Sequence, residues 1–226
     1  MRPEEIARRI EHTLLRASAT ADEIRALCGE ALEHGFYSVC VNPWRVGLAS
    51  GLLRGSGVRV TSVAGFPLGA GPAGSKAGEA AAALGEGADE VDMVMNIGAA
   101  LDGDWETVGL EITRVLEAMG PAGDAAVLKV IIECCFLDET QKRRAIEAVA
   151  TAGAHYVKTS TGFGPGGATV EDVALMKEVL GGRARIKAAG GVSTLSRLRD
   201  MVEAGADLVG TSSGVSIMKE AGLAPS

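Results

Sequence analysis

Three lysines stand where a folded chain rarely places a charge. Lys129, Lys158 and Lys187 recur at steps of 29 residues, each inside a short apolar run. An unpaired ammonium in such a run is expensive to bury. Asp92, in the run EVDMVMNI from Glu90 to Ile97, offers an acid to such a cluster. By the period of two it shares a strand face with Val94 and Asn96, whereas Met93 and Met95 point the other way. A lysine attacks a carbonyl only as the free amine, and with a reference pKa of ~10.4 only about one in a thousand is free near neutral pH. A second ammonium nearby, together with desolvation, lowers that pKa. A lysine–lysine–aspartate set therefore suits Schiff-base chemistry, in which a protonated imine accepts electrons from a breaking carbon–carbon bond with no metal or other cofactor. Spacing alone does not choose between Lys158 and Lys187 as nucleophile. The plainer alternative is that Asp92 only neutralises a buried lysine.

Three late segments end in small residues: TSTG from Thr159, AAGGV from Ala188 and GTSSG from Gly210. Glycines there let backbone N–H groups approach an anion, serines add hydroxyl donors, and a following helix start adds its dipole. Phosphate is the anion this pattern suits. His12, His34 and His155 form no metal-ligand spacing, and Cys28, Cys40, Cys134 and Cys135 contain no C-x-x-C pair. Reduced thiols are expected, with Cys40 a small buried hydrophobe in a strand.

Elements must hold these residues together. β-Branched runs predict strands at Ile10 to Leu15, Tyr37 to Pro43, Arg59 to Pro67, Glu90 to Ile97, Ala126 to Glu133, Tyr156 to Gly162, Arg185 to Gly191 and Asp207 to Gly214. The first is the weakest, since IEHTLL could extend the N-terminal helix. Thr20 to Glu23 has the form of a capping box and Thr169 to Asp172 that of a looser one. Helical patterns close on glycine at LGEGADEVDM, ATAGAHYVKT and VEAGADLVGT. The Gly-rich run Leu68 to Ser75 reads as a mobile βα loop rather than a substrate contact. Strands alternating with helices in 226 residues predict an α/β fold, a (β/α)8 TIM barrel with an extra N-terminal helix and one domain over residues 1–226. No G-x-G-x-x-G follows the first strand, which removes the usual dinucleotide argument.

A net charge of -7 and a pI near 5.1 disfavour nucleic acid as a partner. Neither a signal peptide nor a long apolar run is present, so a soluble, cytoplasmic protein without a membrane partner is expected.

VKTSTGFG around Lys158, IKAAGGV around Lys187, ADEVDMVMNIG around Asp92, LKVIIE around Lys129, VAGFPLG near Gly65 and the early IEHTLL together resemble the deoxyribose-phosphate aldolase family. The likeness runs in order through nearly the whole chain. It implies a class I aldolase that cleaves 2-deoxy-D-ribose 5-phosphate to D-glyceraldehyde 3-phosphate and acetaldehyde. Lys158 would then form the imine, and Lys187 would depress its pKa. Asp92 with Lys187 would relay protons through water, and Lys129 would support the cluster. The phosphate would rest on Gly162, Gly190, Gly191, Gly210, Ser212 and Ser213. A homo-oligomer, dimer or tetramer, is also implied. Two departures stand out. Phe163 follows TSTG where some members carry a lysine, which implies weaker phosphate anchoring or anchoring by backbone alone. The chain ends IMKEAGLAPS without the tyrosine that assists proton transfer in some members. The nearest rivals are another Schiff-base aldolase and, from a different class, a sugar-phosphate isomerase that forms no covalent adduct. A sugar-phosphate binding barrel without catalysis is a third reading.

Overall fold

The computed structural model describes residues 1–120 and 126–222. A short N-terminal helix α1 (Pro3–Ala7) precedes β1 (Ile10–Leu14), so IEHTLL is a strand and not an extension of the helix. There follow α2 (Ala21–His34), β2 (Ser38–Val41), α3 (Val46–Leu53), β3 (Arg59–Ala64), α4 (Ala73–Gly85), β4 (Glu90–Val94), α5 (Ile97–Leu101) and α6 (Trp105–Ala118). The second half comprises β5 (Val127–Ile131), α7 (Glu139–Thr151), β6 (Tyr156–Lys158), α8 (Val170–Leu180), β7 (Arg185–Ala189), α9 (Leu195–Ala204), β8 (Leu208–Thr211) and α10 (Gly214–Glu220). All neighbouring strands are parallel, and β1 pairs with β8 to close an eight-stranded barrel, the (β/α)8 TIM fold.

Local signals set most boundaries. Thr20 caps α2 by accepting from Glu23 N while the Glu23 carboxylate accepts from Thr20 N. Thr169 caps α8, but its Asp172 turns away to hold Lys142 at 2.6 Å, so that box is half made. Gly87, Gly153 and Gly205, which follow α4, α7 and α9, all take positive φ. The run Leu68 to Ser75 is only partly loop, because α4 already begins at Ala73, behind Pro72.

Every strand ends earlier than the predicted run at its C-terminal side. The ladder of β6 stops at Lys158 although TSTG continues the pattern: Thr159 N still donates to Lys187 O, but the Thr159 side chain takes the next amide of β7 and Thr161 turns to another segment. Thr159 Oγ1 donates to Ala189 O and accepts from Ala189 N, and Thr161 pairs with Glu133. These turned-out ends rim the barrel.

Two kinds of core result. The main apolar cluster lies between the barrel's outer face and the helices, with Val91, Met93 and Met95 of the β4 segment in it. Inside the barrel, Tyr37, Val127, Tyr156 and Leu208 pack at the N-terminal end, and Leu15, Cys40, Val63 and Phe66 pack toward the other end. Between them lies a layer of charge. Branched apolar side chains ordinarily fill such interiors. No helix among the described residues is long and apolar enough to cross a membrane.

Candidate active site

Strand register delivers the charged layer. Parallel pairing sets Asp92 opposite Lys129 and Lys158 opposite Lys187. Lys158 Nζ donates to Asp92 Oδ2 at 2.6 Å, and Lys187 Nζ donates to the same oxygen at 2.5 Å. Lys129 Nζ takes the other oxygen at 2.9 Å. All four expected catalytic residues therefore meet on one carboxylate.

Two acids that the sequence reading did not single out complete the layer. Glu11 of β1 accepts from Lys187 Nζ through Oε1, and through Oε2 from Thr61 at 2.9 Å, Ser38 at 3.0 Å and Lys129 at 3.3 Å. Glu90 lies 2.6 Å from Lys129 Nζ, and it also accepts from Tyr37 Oη at 2.6 Å and from Arg59 at 2.7 Å. Both are fully buried.

Counting charges shows which lysine is left over. Glu90 is shared with Arg59, so Glu11 and Asp92 face three ammonium groups. Burial works to lower the pKa of Lys187 and of Lys129, but Asp92 and Glu11 outweigh it and raise both, with Glu90 adding to the effect on Lys129. Lys158 goes the other way. Burial lowers its pKa, Asp92 opposes this, and Lys187 lowers it further. The neighbouring ammonium expected to tune Lys158 is present, but burial is the larger cause. Lys158 is also the only one of the three with any exposure, 3 % against 0 % for Lys129 and Lys187.

That exposure opens into a cavity of about 390 Å³ whose lining includes Lys158 and all six residues expected to bind phosphate. Gly162, Gly190 and Gly191 sit at positive φ on the loops after β6 and β7. These loops touch: Ala168 N donates to Gly190 O at 3.0 Å, and a Cβ on Gly167 would stand 2.3 Å from that oxygen. Only glycine permits this approach. Gly210 plays a different part, for it lies within β8, where a Cβ would press on Lys187 Cε at 3.2 Å. Its lack of a side chain makes room for the lysine. Ser213 N already donates to Thr211 Oγ1, which leaves its hydroxyl for a ligand. Ser213 is also the N-cap of the seven-residue α10, so the helix starts directly beside this wall. Phe163 also lines the cavity and meets Phe66 edge-on with 5.3 Å between ring centroids.

Glu133 holds the TSTG loop from beneath. It is the one non-glycine residue with positive φ among the described residues, and it accepts from Thr161 N at 3.2 Å and from Thr161 Oγ1. Cys40 is fully buried beside the charged layer, where burial pushes its thiol well up, as befits a packing residue. Glu11, Cys40 and Asp92 bring three donor atoms within 4.8 Å of one another, but lysine ammonium groups already occupy both carboxylates. His12 bonds Glu30 at 2.6 Å, His34 stacks on Phe36, and His155 Nδ1 accepts from Leu128 N at 3.1 Å. The last residues of the tail, 223–226, lie outside the described residues.

An amine kept below its ordinary pKa at the floor of a cavity, next to a carboxylate and a second ammonium, can form an imine with a bound carbonyl and move protons around it. Known proteins share this framework. The model of the DeoC/LacD family aldolases matches residues 6–221. A deoxyribose-phosphate aldolase of Deinococcus radiodurans is 53% identical over 213 residues, which cover 94% of this chain and 95% of the relative. One from Thermococcus kodakarensis is 53% identical over 223 residues, covering 98% and 99%. The solved structure of a tetrameric deoxyribose phosphate aldolase from Aeropyrum pernix superposes with a TM-score of 0.89 at 34% identity, covering 96% of this chain and 91% of that one. The chain belongs to the DeoC/LacD aldolase family.

Proposed function

We propose that this protein is a deoxyribose-phosphate aldolase that reversibly cleaves 2-deoxy-D-ribose 5-phosphate to D-glyceraldehyde 3-phosphate and acetaldehyde, with residues 1–226 acting as one catalytic domain. The observation that carries the reading is the single Asp92 oxygen shared by Lys158 and Lys187 at a cavity of about 390 Å³, room for a whole sugar phosphate. Lys158, as the free amine, attacks the aldehyde carbon C1, and the adduct loses water to give a protonated imine. A base removes the proton of the C3 hydroxyl, the C2–C3 bond breaks, and its electrons pass into the imine to leave an enamine. The C3 carbon departs as the aldehyde of glyceraldehyde 3-phosphate. Protonation of the enamine at C2 and hydrolysis then release acetaldehyde and restore Lys158.

Asp92 and Lys187 carry these protons through water, a role supported by their joint contact at Lys158: Asp92 Oδ2 is shared by the two ammonium groups. Lys129 is a positioning residue, holding Asp92 through the oxygen that Lys158 does not use. Gly162, Gly190, Gly191, Gly210, Ser212 and Ser213 form the wall that receives the phosphate. The tetrameric relative supports a homo-oligomer.

Incubating the protein with 2-deoxyribose 5-phosphate and analysing the products tests the reading. Acetaldehyde and glyceraldehyde 3-phosphate in equal amounts are expected. An intact, rearranged sugar phosphate would point to the isomerase, and cleavage of fructose 1,6-bisphosphate alone to a different aldolase.

A further inference from the structure

The cavity's charged lining is sparse. Among the described residues that line it, only Lys158 and Arg16 carry ionisable side chains, and none is an acid. Lys158 is committed to the carbonyl end of any aldehyde substrate. Barrel closure gives Arg16 its place. β1 pairs with β8, setting His12 opposite Thr211, so the chain leaves both strands side by side and brings Arg16 out across the seam from Ser212 and Ser213. The Arg16 guanidinium pairs with Glu23 in the first turn of α2, and the two side chains are 45% and 41% exposed. Glu23 is fixed by the helix cap, since it also accepts from Thr20 N at 2.8 Å. Arg16 hangs on a flexible stem. An exposed pair of this kind is weak and exchanges readily.

We propose that Arg16 is the cationic arm of the phosphate subsite, leaving Glu23 to clasp the 5-phosphate against the donors of Gly190, Gly191, Ser212 and Ser213. The inference rests on the aldolase reading for the identity of the substrate, whereas recognition of the phosphate group does not depend on the chemistry. A guanidinium offers parallel N–H donors that match two phosphate oxygens, a charge-assisted contact stronger than a neutral one. It also resolves the departure at Phe163. The cation does not follow TSTG but comes from the opposite wall, and Phe163 is free to pack on Phe66.

Two readouts test this: calorimetric titration with inorganic phosphate, and kcat and KM for 2-deoxyribose 5-phosphate against unphosphorylated 2-deoxyribose. For Arg16→Gln, phosphate affinity should fall and KM for the phosphorylated sugar should rise about tenfold, roughly the step of one charge-assisted contact. The effect on kcat should be much smaller, and Arg16→Lys should recover most of the loss. Glu23→Gln keeps the cap but frees the arginine, so it should tighten phosphate about twofold. A purely structural Arg16–Glu23 pair would make both glutamine variants bind phosphate worse, and that result overturns the proposal. So does unchanged phosphate binding in Arg16→Gln, or an equal loss on both sugars. Should the wild type cleave neither sugar while phosphate binding still depends on Arg16, the aldolase reading fails and the anion subsite stands.

Discussion

Lys158 and Lys76 are both buried lysines whose pKa burial pulls down, yet only Lys158 is the proposed nucleophile. Lys76 lies outside the barrel between α4 and α6. It has one carboxylate to itself, Glu111 at 2.7 Å, whose other oxygen accepts from Asn96 N. Its stem is sealed under Gly65, where a Cβ would stand 2.9 Å from Lys76 Cε. Lys158 must share Asp92 with two other ammonium groups, and its tip faces a cavity. Desolvation is common to both. Competition for the counter-ion and an open side are what distinguish the proposed nucleophile from a strut that ties α4 and α6 to the end of β4.

Replacing each lysine by methionine should separate the two roles most sharply. Lys158→Met should lower kcat by more than about 10⁴-fold, the order seen when a covalent nucleophile is removed. Lys76→Met should still form the imine, but it strands a buried carboxylate and should cost about 4 kcal/mol in denaturant unfolding. A Lys76 variant that folds well and cannot form the imine would break the comparison.

The acids of the charged layer predict how stability depends on pH. Burial works to raise the pKa of Glu90, but Lys129, Tyr37 and Arg59 outweigh it and bring it from 4.5 to about 2. A carboxyl depressed in the folded state contributes stability that is complete above its unfolded value and is lost as pH falls through the folded one. Glu11 and Asp92 carry the same sign. Denaturant midpoints should therefore drop as the pH goes from about 4.5 toward 2. Glu90→Gln should be weaker than wild type by about 3 kcal/mol near neutrality and converge with it at the acid end. A constant difference across that window would mean that Glu90 acts through packing alone.

A smaller effect is expected from Lys187→Leu. It removes a cation that lowers the Lys158 pKa and leaves Asp92 more fully to Lys158, so the acid limb of the rate profile should move to higher pH. The rate near neutral pH should fall with it, while the rate above the limb changes less. Were the limb to stay in place, burial alone would tune Lys158, and competition would drop out of the comparison.

Much of this site was legible in the sequence. The 29-residue steps placed three lysines on consecutive strands, and period-two alternation set Asp92 on the face opposite Met93 and Met95, which the closed barrel turns out to pack against the helices. The glycine-rich strand ends marked the cavity wall. Glu11 was not legible, because a lone acid in the weakest strand looks like a surface residue until the barrel closes. Only the β1–β8 seam brings it to Lys187, 176 residues away. Glu90 begins its strand like an exposed acid, and only the register with β3 and β5 encloses it. Arg16 went unremarked for the same reason as Glu11. At β6 the strand end was overrun because threonine favours β structure locally, while the side-chain bonds of Thr159 and Thr161 turn the segment out of the ladder.

The central claim is that, of the lysines in the charged layer, Lys158 alone is free to attack. Incubation with acetaldehyde and borohydride at neutral pH, followed by peptide mapping, tests it directly. A single ethyl adduct on Lys158 is the expected result. An adduct on Lys187 or Lys129, or none at all, would contradict it.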